Sequence, residues 1–330
     1  MNVVAFFDTK PYDKKWFDVL CDKYKIELRY IEPRLSADTA QLAQGCSAVC
    51  AFVSDLIDAE TVDVLTKKGV RAVALRSAGF SNVDMEAAKG KLKIYRVPEY
   101  SPSSVAEHAA ALLLTLCRKT HKAYARTKEH NFSLTGLVGV NLKGKTAGII
   151  GTGKIGRSFC DICRGFGMKL VAYDTAPSAG GVEYTSLDEL LSRSDIVSLH
   201  CPLTRETHHI LDKYALAAMK PGAYIINTSR GALIDSDALL EEIISGHLGG
   251  AALDVYEEET DLFFEDASDR LMRDETLTGL LAQPNVLVTS HQGFLTDEAL
   301  HAIADTTLYN LRSFFDGQPT HNEAETAVKV

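Results

Sequence analysis

The run Gly151-Thr152-Gly153-Lys154-Ile155-Gly156 stands directly after an apolar stretch, Ala147 to Ile150, and opens a segment of helical spacing. Glycine at these three positions permits a tight turn, then close approach of a pyrophosphate, then packing of helix against strand. The helix start offers unpaired amides and the positive end of a dipole to phosphates. Asp174 closes the next apolar run, Lys169 to Tyr173, 23 residues after Gly151. A carboxylate at that offset accepts hydrogen bonds from ribose hydroxyls and repels a 2′-phosphate, which selects NAD. The combination requires a strand, a turn and a helix at the edge of a parallel sheet.

Strand-like runs recur on both sides of this motif. Val3 to Phe7, Ile26 to Ile31, Ala48 to Val53, Ala72 to Leu75 and Ile94 to Val97 precede it, with helical windows between. Ala147 to Ile150, Lys169 to Tyr173, Ile196 to His200, Tyr224 to Asn227, Ala251 to Val255 and Val286 to Thr289 form a second series of six. A long apolar-faced helix from about Val105 toward Lys128 separates them, and another, Asp297 to Phe315, follows the last strand. A chain of 330 residues suits two domains. The alternation predicts an α/β protein of two doubly wound domains, a Rossmann-type cofactor domain inserted into a flavodoxin-like substrate domain. The expected boundaries are 1–100 for the first part of the substrate domain, 101–296 for the NAD-binding domain, and 297–330 for the returning helix.

Lys and Arg number 35 against 44 Asp and Glu, a net charge of −9, with no long basic run. That balance argues against nucleic acid and anionic membranes as partners. The apolar stretch Ala109 to Cys117 is about half of the roughly 20 residues a bilayer span needs, and Met1 to Lys10 lacks a secretory pattern. Seven cysteines, an odd number, read as reduced thiols in a cytoplasm. Cys160 and Cys163 form a C-x-x-C on a helix, where core packing is the better reading than redox chemistry. No His/Cys cluster has zinc-ligand spacing, so no metal is expected.

In open α/β sheets, ligands sit beyond the carboxyl ends of strands. Three such ends carry charge: Asn227-Thr228-Ser229-Arg230-Gly231, Asp254 through Glu259, and Ser290-His291-Gln292-Gly293-Phe294. Reduction of a carbonyl by NADH needs a proton donor and, for an anionic substrate, an anchor. His291 suits the first role because imidazole titrates near neutrality. A carboxylate such as Glu259 would favour imidazolium, and the fork of Arg230 suits a carboxylate beside a carbonyl.

These residues lie in motifs that the chain shares, in order, with a known family. Ala74-Leu75-Arg76-Ser77-Ala78-Gly79-Phe80, Val97-Pro98-Glu99-Tyr100-Ser101-Pro102, the glycine run, His200-Cys201-Pro202-Leu203-Thr204, Asn227 to Ala232, Leu253 to Glu257 and His291 to Thr296 carry the likeness. The chain resembles the NAD-dependent D-2-hydroxyacid dehydrogenases, and within them the fermentative D-lactate dehydrogenase branch. The resemblance implies that Arg230, Glu259 and His291 are catalytic, with Arg76, Ala78, Gly79, Tyr100, Arg230 and Phe294 around the substrate. It implies cofactor contacts from Gly151, Gly153, Lys154, Ile155, Gly156, Asp174, Cys201, Pro202, Thr207, Thr228, Ser229 and Asp254. It also implies a homodimer or homotetramer, with the helix Val105 to Leu116 and its neighbours at the subunit interface. Gly293 departs from the pattern, since close relatives often carry Ala there.

Glu259 favours 2-oxo acid reduction, since formate dehydrogenases of this architecture carry Gln there. Phe294, Leu295 and Tyr100 suit a short side chain, so pyruvate, reduced to D-lactate, is the expected substrate. Longer 2-oxo acids are the alternative. A non-enzymatic reading, an NADH-sensing corepressor-like protein, would want peptide-binding surfaces and disordered flanks that do not appear in the sequence.

Overall fold

The structure, a computed structural model, describes residues 2–258, 263, 264, 266, 268, 269 and 271–324. It divides into two units, residues 1–101 with 295–330, and residues 102–294.

The first unit runs β1 (Asn2–Phe6), α1 (Pro11–Tyr24), β2 (Ile26–Tyr30), β3 (Ala48–Ala51), α2 (Ala59–Lys67), β4 (Ala72–Leu75), α3 (Met85–Ala88) and β5 (Lys93–Tyr95). Its five strands pair in parallel in the order β2-β1-β3-β4-β5. β3 stops at Ala51, short of the expected Val53, because the Phe52 amide turns to donate to the Asp55 carboxylate.

The second unit begins with α4 (Pro102–Arg118) and α5 (Thr120–Lys128). Lys119, in a left-handed conformation, divides what the spacing presents as one helix. Then come β6 (Thr146–Ile150), α6 (Lys154–Gly165), β7 (Lys169–Tyr173), β8 (Glu183–Tyr184), α7 (Leu187–Arg193), β9 (Ile196–Leu199), α8 (Lys213–Ala217), β10 (Tyr224–Asn227), α9 (Ser236–Ile244), β11 (Gly250–Leu253), α10 (Glu275–Ala282) and β12 (Val286–Val288). All seven strands are parallel, in the order β12-β11-β10-β9-β6-β7-β8. The seventh, β8, is two residues long at the sheet edge, too short to carry a periodic signal. Strand order reverses between β6 and β9, which makes a crevice beyond their carboxyl ends.

The last helix, α11 (Asp297–Phe315), belongs to the first unit. Ala304, Leu308 and Leu311 pack with Phe6, Phe17 and Leu20, covering one face of its sheet, while Ala5, Val49, Val73 and Leu75 face the other. The central strands β3 and β4 are buried on both faces, which is why they read as unbroken apolar runs, whereas the edge strand β2 alternates. In the second unit Val105, Ala109, Leu112, Leu113 and Leu116 of α4 are buried, the last four among Ile149, Phe159 and Ile226. The apolar face of α4 is thus covered within its own unit. No helix among the described residues is long and apolar enough to cross a membrane.

Candidate active site

The glycine turn lies at the point of strand reversal in the second unit. Gly151 has φ of +92°, and a Cβ there would meet the Cys201 amide nitrogen at 2.6 Å and the His200 carbonyl carbon at 2.7 Å. A Cβ on Gly156 would lie 2.1 Å from the Gly151 carbonyl oxygen, whereas Gly153 faces open space. Each glycine therefore has the reason its position requires: a turn, an approach and a helix packed on a strand. Helices α7, α8, α9 and α10 begin on side-chain caps from Ser186, Asp212, Asp235 and Asp274. Helix α6 begins on Gly153 without one, leaving its first amides to a ligand. Lys154 is exposed and Ile155 half-buried beside them.

Asp174, at the end of β7, accepts from the Thr152 amide, the Thr152 hydroxyl at 2.9 Å and the Ala176 amide at 2.8 Å. Burial raises its pKa, but these hydrogen bonds outweigh it and hold the carboxylate below its ordinary value. Tyr184 of β8 donates to the Thr152 hydroxyl and accepts from the Ser178 and Ala179 amides, folding the segment after Asp174 against the glycine turn.

On the other side of the crevice, Cys201 is buried, Pro202 is exposed, and the Thr207 hydroxyl donates to the Pro202 carbonyl. The Ser229 hydroxyl donates to the Cys201 carbonyl at 2.6 Å, joining the ends of β9 and β10. Thr228 Oγ1 is buried without a hydrogen-bond partner. A buried orphan hydroxyl and a glycine cradle that a Cβ would fill together fit a dinucleotide. Arg230 follows, half-buried, its Nη1 donating to the Ser229 carbonyl, and no carboxylate among the described residues pairs with it.

Asp254 at the end of β11 ties three elements together. Its buried carboxylate accepts from the Thr289 hydroxyl at 2.5 Å and from the Gln292 and Gly293 amides at 2.9 and 2.8 Å; His108 Nε2 of α4 lies 3.1 Å away. Burial raises its pKa, and hydrogen bonds from His108 and Thr289 bring it below the ordinary value. The His291 amide donates to the Asp254 carbonyl at 2.7 Å, and His291 itself sits at φ of +54°. The loop that presents the half-buried His291 is therefore pinned at consecutive amides by one residue. The His291 ring lies 5.9 Å from that of Phe264. A Cβ on Gly293 would come within 3.1 Å of Asp254 Oδ2, so glycine lets the loop close on this carboxylate.

A family model for D-isomer-specific 2-hydroxyacid dehydrogenases, NAD-binding domain, matches residues 110–293. The chain belongs to this family. This dehydrogenase is 49% identical to D-lactate dehydrogenase of Escherichia coli strain K12 over 97% of its own length and 99% of that protein's. Its fold matches the apo structure of the Escherichia coli enzyme with a TM-score of 0.90 and 47% identity, covering 98% of this chain and 100% of that one. It matches the pyruvate reductase of Chlamydomonas reinhardtii with a TM-score of 0.93 and 42% identity, covering 98% of each chain. The protein is an NAD-dependent oxidoreductase.

In the first unit of the dehydrogenase, Ala78 and Gly79 form a turn after β4 with the Ser77 hydroxyl donating to the Gly79 carbonyl, and Tyr100 follows β5. Parallel pairing places both at the carboxyl edge of that sheet. Arg76 departs from its expected role. Its guanidinium is 2% exposed, 4.2 Å from the Phe6 ring centre and 5.1 Å from that of Phe52. It donates to Asp13 and to the Phe7 and Asp8 carbonyls. Buried carboxylates at Asp8, Asp13 and Asp55 surround it, so Arg76 neutralises the core and is withdrawn from substrate. Phe294 is buried at the end of the second unit. Glu259 lies outside the described residues.

Two residues outside the family motifs, His108 and Tyr184, also join the hydrogen-bond network of this unit. His108 is a polar side chain on the buried stripe between Val105 and Leu112, and that mismatch was its available signal. Tyr184 gave none, because its strand is too short. Cys160 and Cys163 are wholly buried, their thiols pushed up to about 11 and about 12 by burial, which makes them packing residues.

Proposed function

We propose that this dehydrogenase reduces pyruvate to D-lactate with NADH, reversibly. The observation that carries the reading is the Asp254 anchorage, which presents His291 from the end of β12 while Arg230 stands at the end of β10 of the same sheet. Bound NADH supplies the hydride to the carbonyl carbon. Arg230 takes the substrate carboxylate in its fork and polarises the carbonyl. His291, as imidazolium, donates its proton to the carbonyl oxygen and returns as neutral imidazole. Glu259 favours the charged ring before the transfer. Ala78, Gly79, Tyr100 and Phe294 are the further substrate-binding residues of this reading, which rests for them on the family motifs that carry them.

NADH consumption measured with pyruvate, 2-oxobutyrate, phenylpyruvate and hydroxypyruvate tests this reading. Pyruvate is expected to give the highest kcat/KM and a product of D configuration. An L product, or a stronger preference for a longer acid, would overturn it.

We further propose that the protein is a homodimer or homotetramer. Tyr124, Phe132, Leu134 and Val138, apolar and mostly exposed, follow one another after α4 and offer the surface for it. The seven free thiols fit a reducing cytoplasm.

A further inference from the structure

The segment after β9 carries two adjacent histidines that the dehydrogenase chemistry leaves unused. In an extended chain, neighbouring side chains point to opposite faces. Here His209 adopts φ of +49°, a conformation uncommon outside glycine, and the turn brings both rings to one side. The His208 and His209 rings stack with centres 4.0 Å apart and planes inclined by 29°. Glu257, beyond β11, reaches the same spot, its Oε1 lying 2.7 Å from His209 Nε2. One ligand atom from each of the three side chains lies within 4.8 Å of the other two.

From this arrangement we infer that His208, His209 and Glu257 bind a divalent transition-metal ion of the zinc class. Two imidazole nitrogens and one carboxylate oxygen form a donor set that Zn²⁺ accepts with bonds of about 2.0–2.2 Å, water completing the shell. The ligand atoms, within 4.8 Å of one another, would have to close on the ion by rotation of the side chains. A simple histidine–carboxylate pair would account for His209 and Glu257. It would not account for a second ring turned by a left-handed residue onto the same point. Half-burial of His209 and Glu257, 30% and 27% exposed, limits competition from water while exposed His208 leaves an entry path. Adjacent histidines lack the usual zinc-ligand spacing, which is why the sequence gives no warning of the site.

The site would brace the active-site corner. The His209 amide donates to the Ala232 carbonyl, in the turn that follows Arg230. A Cβ on Gly231 would lie 2.0 Å from the Tyr256 carbonyl carbon, so that turn packs directly on the backbone leading into Glu257. Metal held by the triad would join side chains from two strand-end segments that the His209–Glu257 hydrogen bond already links.

Equilibrium dialysis of the full chain against Zn²⁺ tests the inference. The wild type is expected to hold about one ion per chain, and His208→Ala and Glu257→Gln each to weaken binding by at least about 10-fold, as ligand-shell losses do. Both variants should keep wild-type NADH affinity and metal-free turnover, which shows that they are folded. Absence of stoichiometric binding by the wild type, or equal affinity in the three proteins, would overturn the inference.

Discussion

Asp254 accepts at once from Thr289 and from the amides of Gln292 and Gly293, with His108 alongside, and its own carbonyl holds the His291 amide. Position and chemistry are thereby separated: the backbone of His291 is fixed by hydrogen bonds that its imidazole does not make. Replacing the ring should therefore remove the proton donor without moving the loop. His291→Ala is expected to lower kcat for pyruvate reduction by about 10²–10⁴ while NADH affinity, measured by fluorescence titration, stays within about twofold. A large loss of NADH affinity would show that His291 supports the cofactor site instead. Arg76 gives the converse lesson at this scale. It was visible in the sequence as a cation beside a family motif, but motif proximity carries no information on burial. Asp8 and Asp13 from one part of the chain and Asp55 from another surround it in the core.

The glycine turn and its neighbouring strand test the elements. Gly156→Ala would put a Cβ about one bond length inside the van der Waals contact with the Gly151 carbonyl, which is backbone and cannot rotate away. Loss of measurable NADH binding is expected, with far-ultraviolet circular dichroism close to wild type; undiminished binding would contradict the packing. His200, at the end of β9, has its Nδ1 shielded from solvent and its pKa lowered from 6.5 to about 3 by burial. Between those values the unfolded chain takes a proton that the folded chain refuses. Its contribution to stability is whole above pH 6.5 and is lost as pH falls toward 3, by up to about 1.4 kcal/mol per unit. Asp55, raised to about 6 by burial, acts oppositely between 3.8 and 6, so the wild-type slope alone is not diagnostic. The informative quantity is the difference between wild type and His200→Asn in urea unfolding at pH 7, 6 and 5. It should shrink steadily on acidification, and a constant difference would refute the role of His200. The strands, the glycine turn and Asp174 were legible in the sequence because local pattern and backbone demand coincide there. The division of α4 from α5 at Lys119, strand β8 and the Asp254 network were not, since each rests on tertiary contacts or on segments too short for a period.

For the whole molecule, the surface left over decides association. Helix α4 packs Ala109, Leu112, Leu113 and Leu116 on α6 and the sheet. The segment that follows it is different: Tyr124 is 64%, Phe132 73%, Leu134 79% and Val138 84% exposed. Four large apolar side chains within fifteen residues are costly to leave in water, at about 25 cal/mol for each Å² that could be covered. A second copy is the occupant that is always present at the chain's own concentration, and closed symmetry lets one patch serve both subunits. Light scattering of the wild type should give a multiple of the 36.0 kDa chain mass. Leu134→Asp combined with Val138→Asp should shift the population to monomer without lowering NADH affinity, because neither side chain packs in its own unit. A monomeric wild type, or a double variant that keeps its assembly, would place the contact on another face.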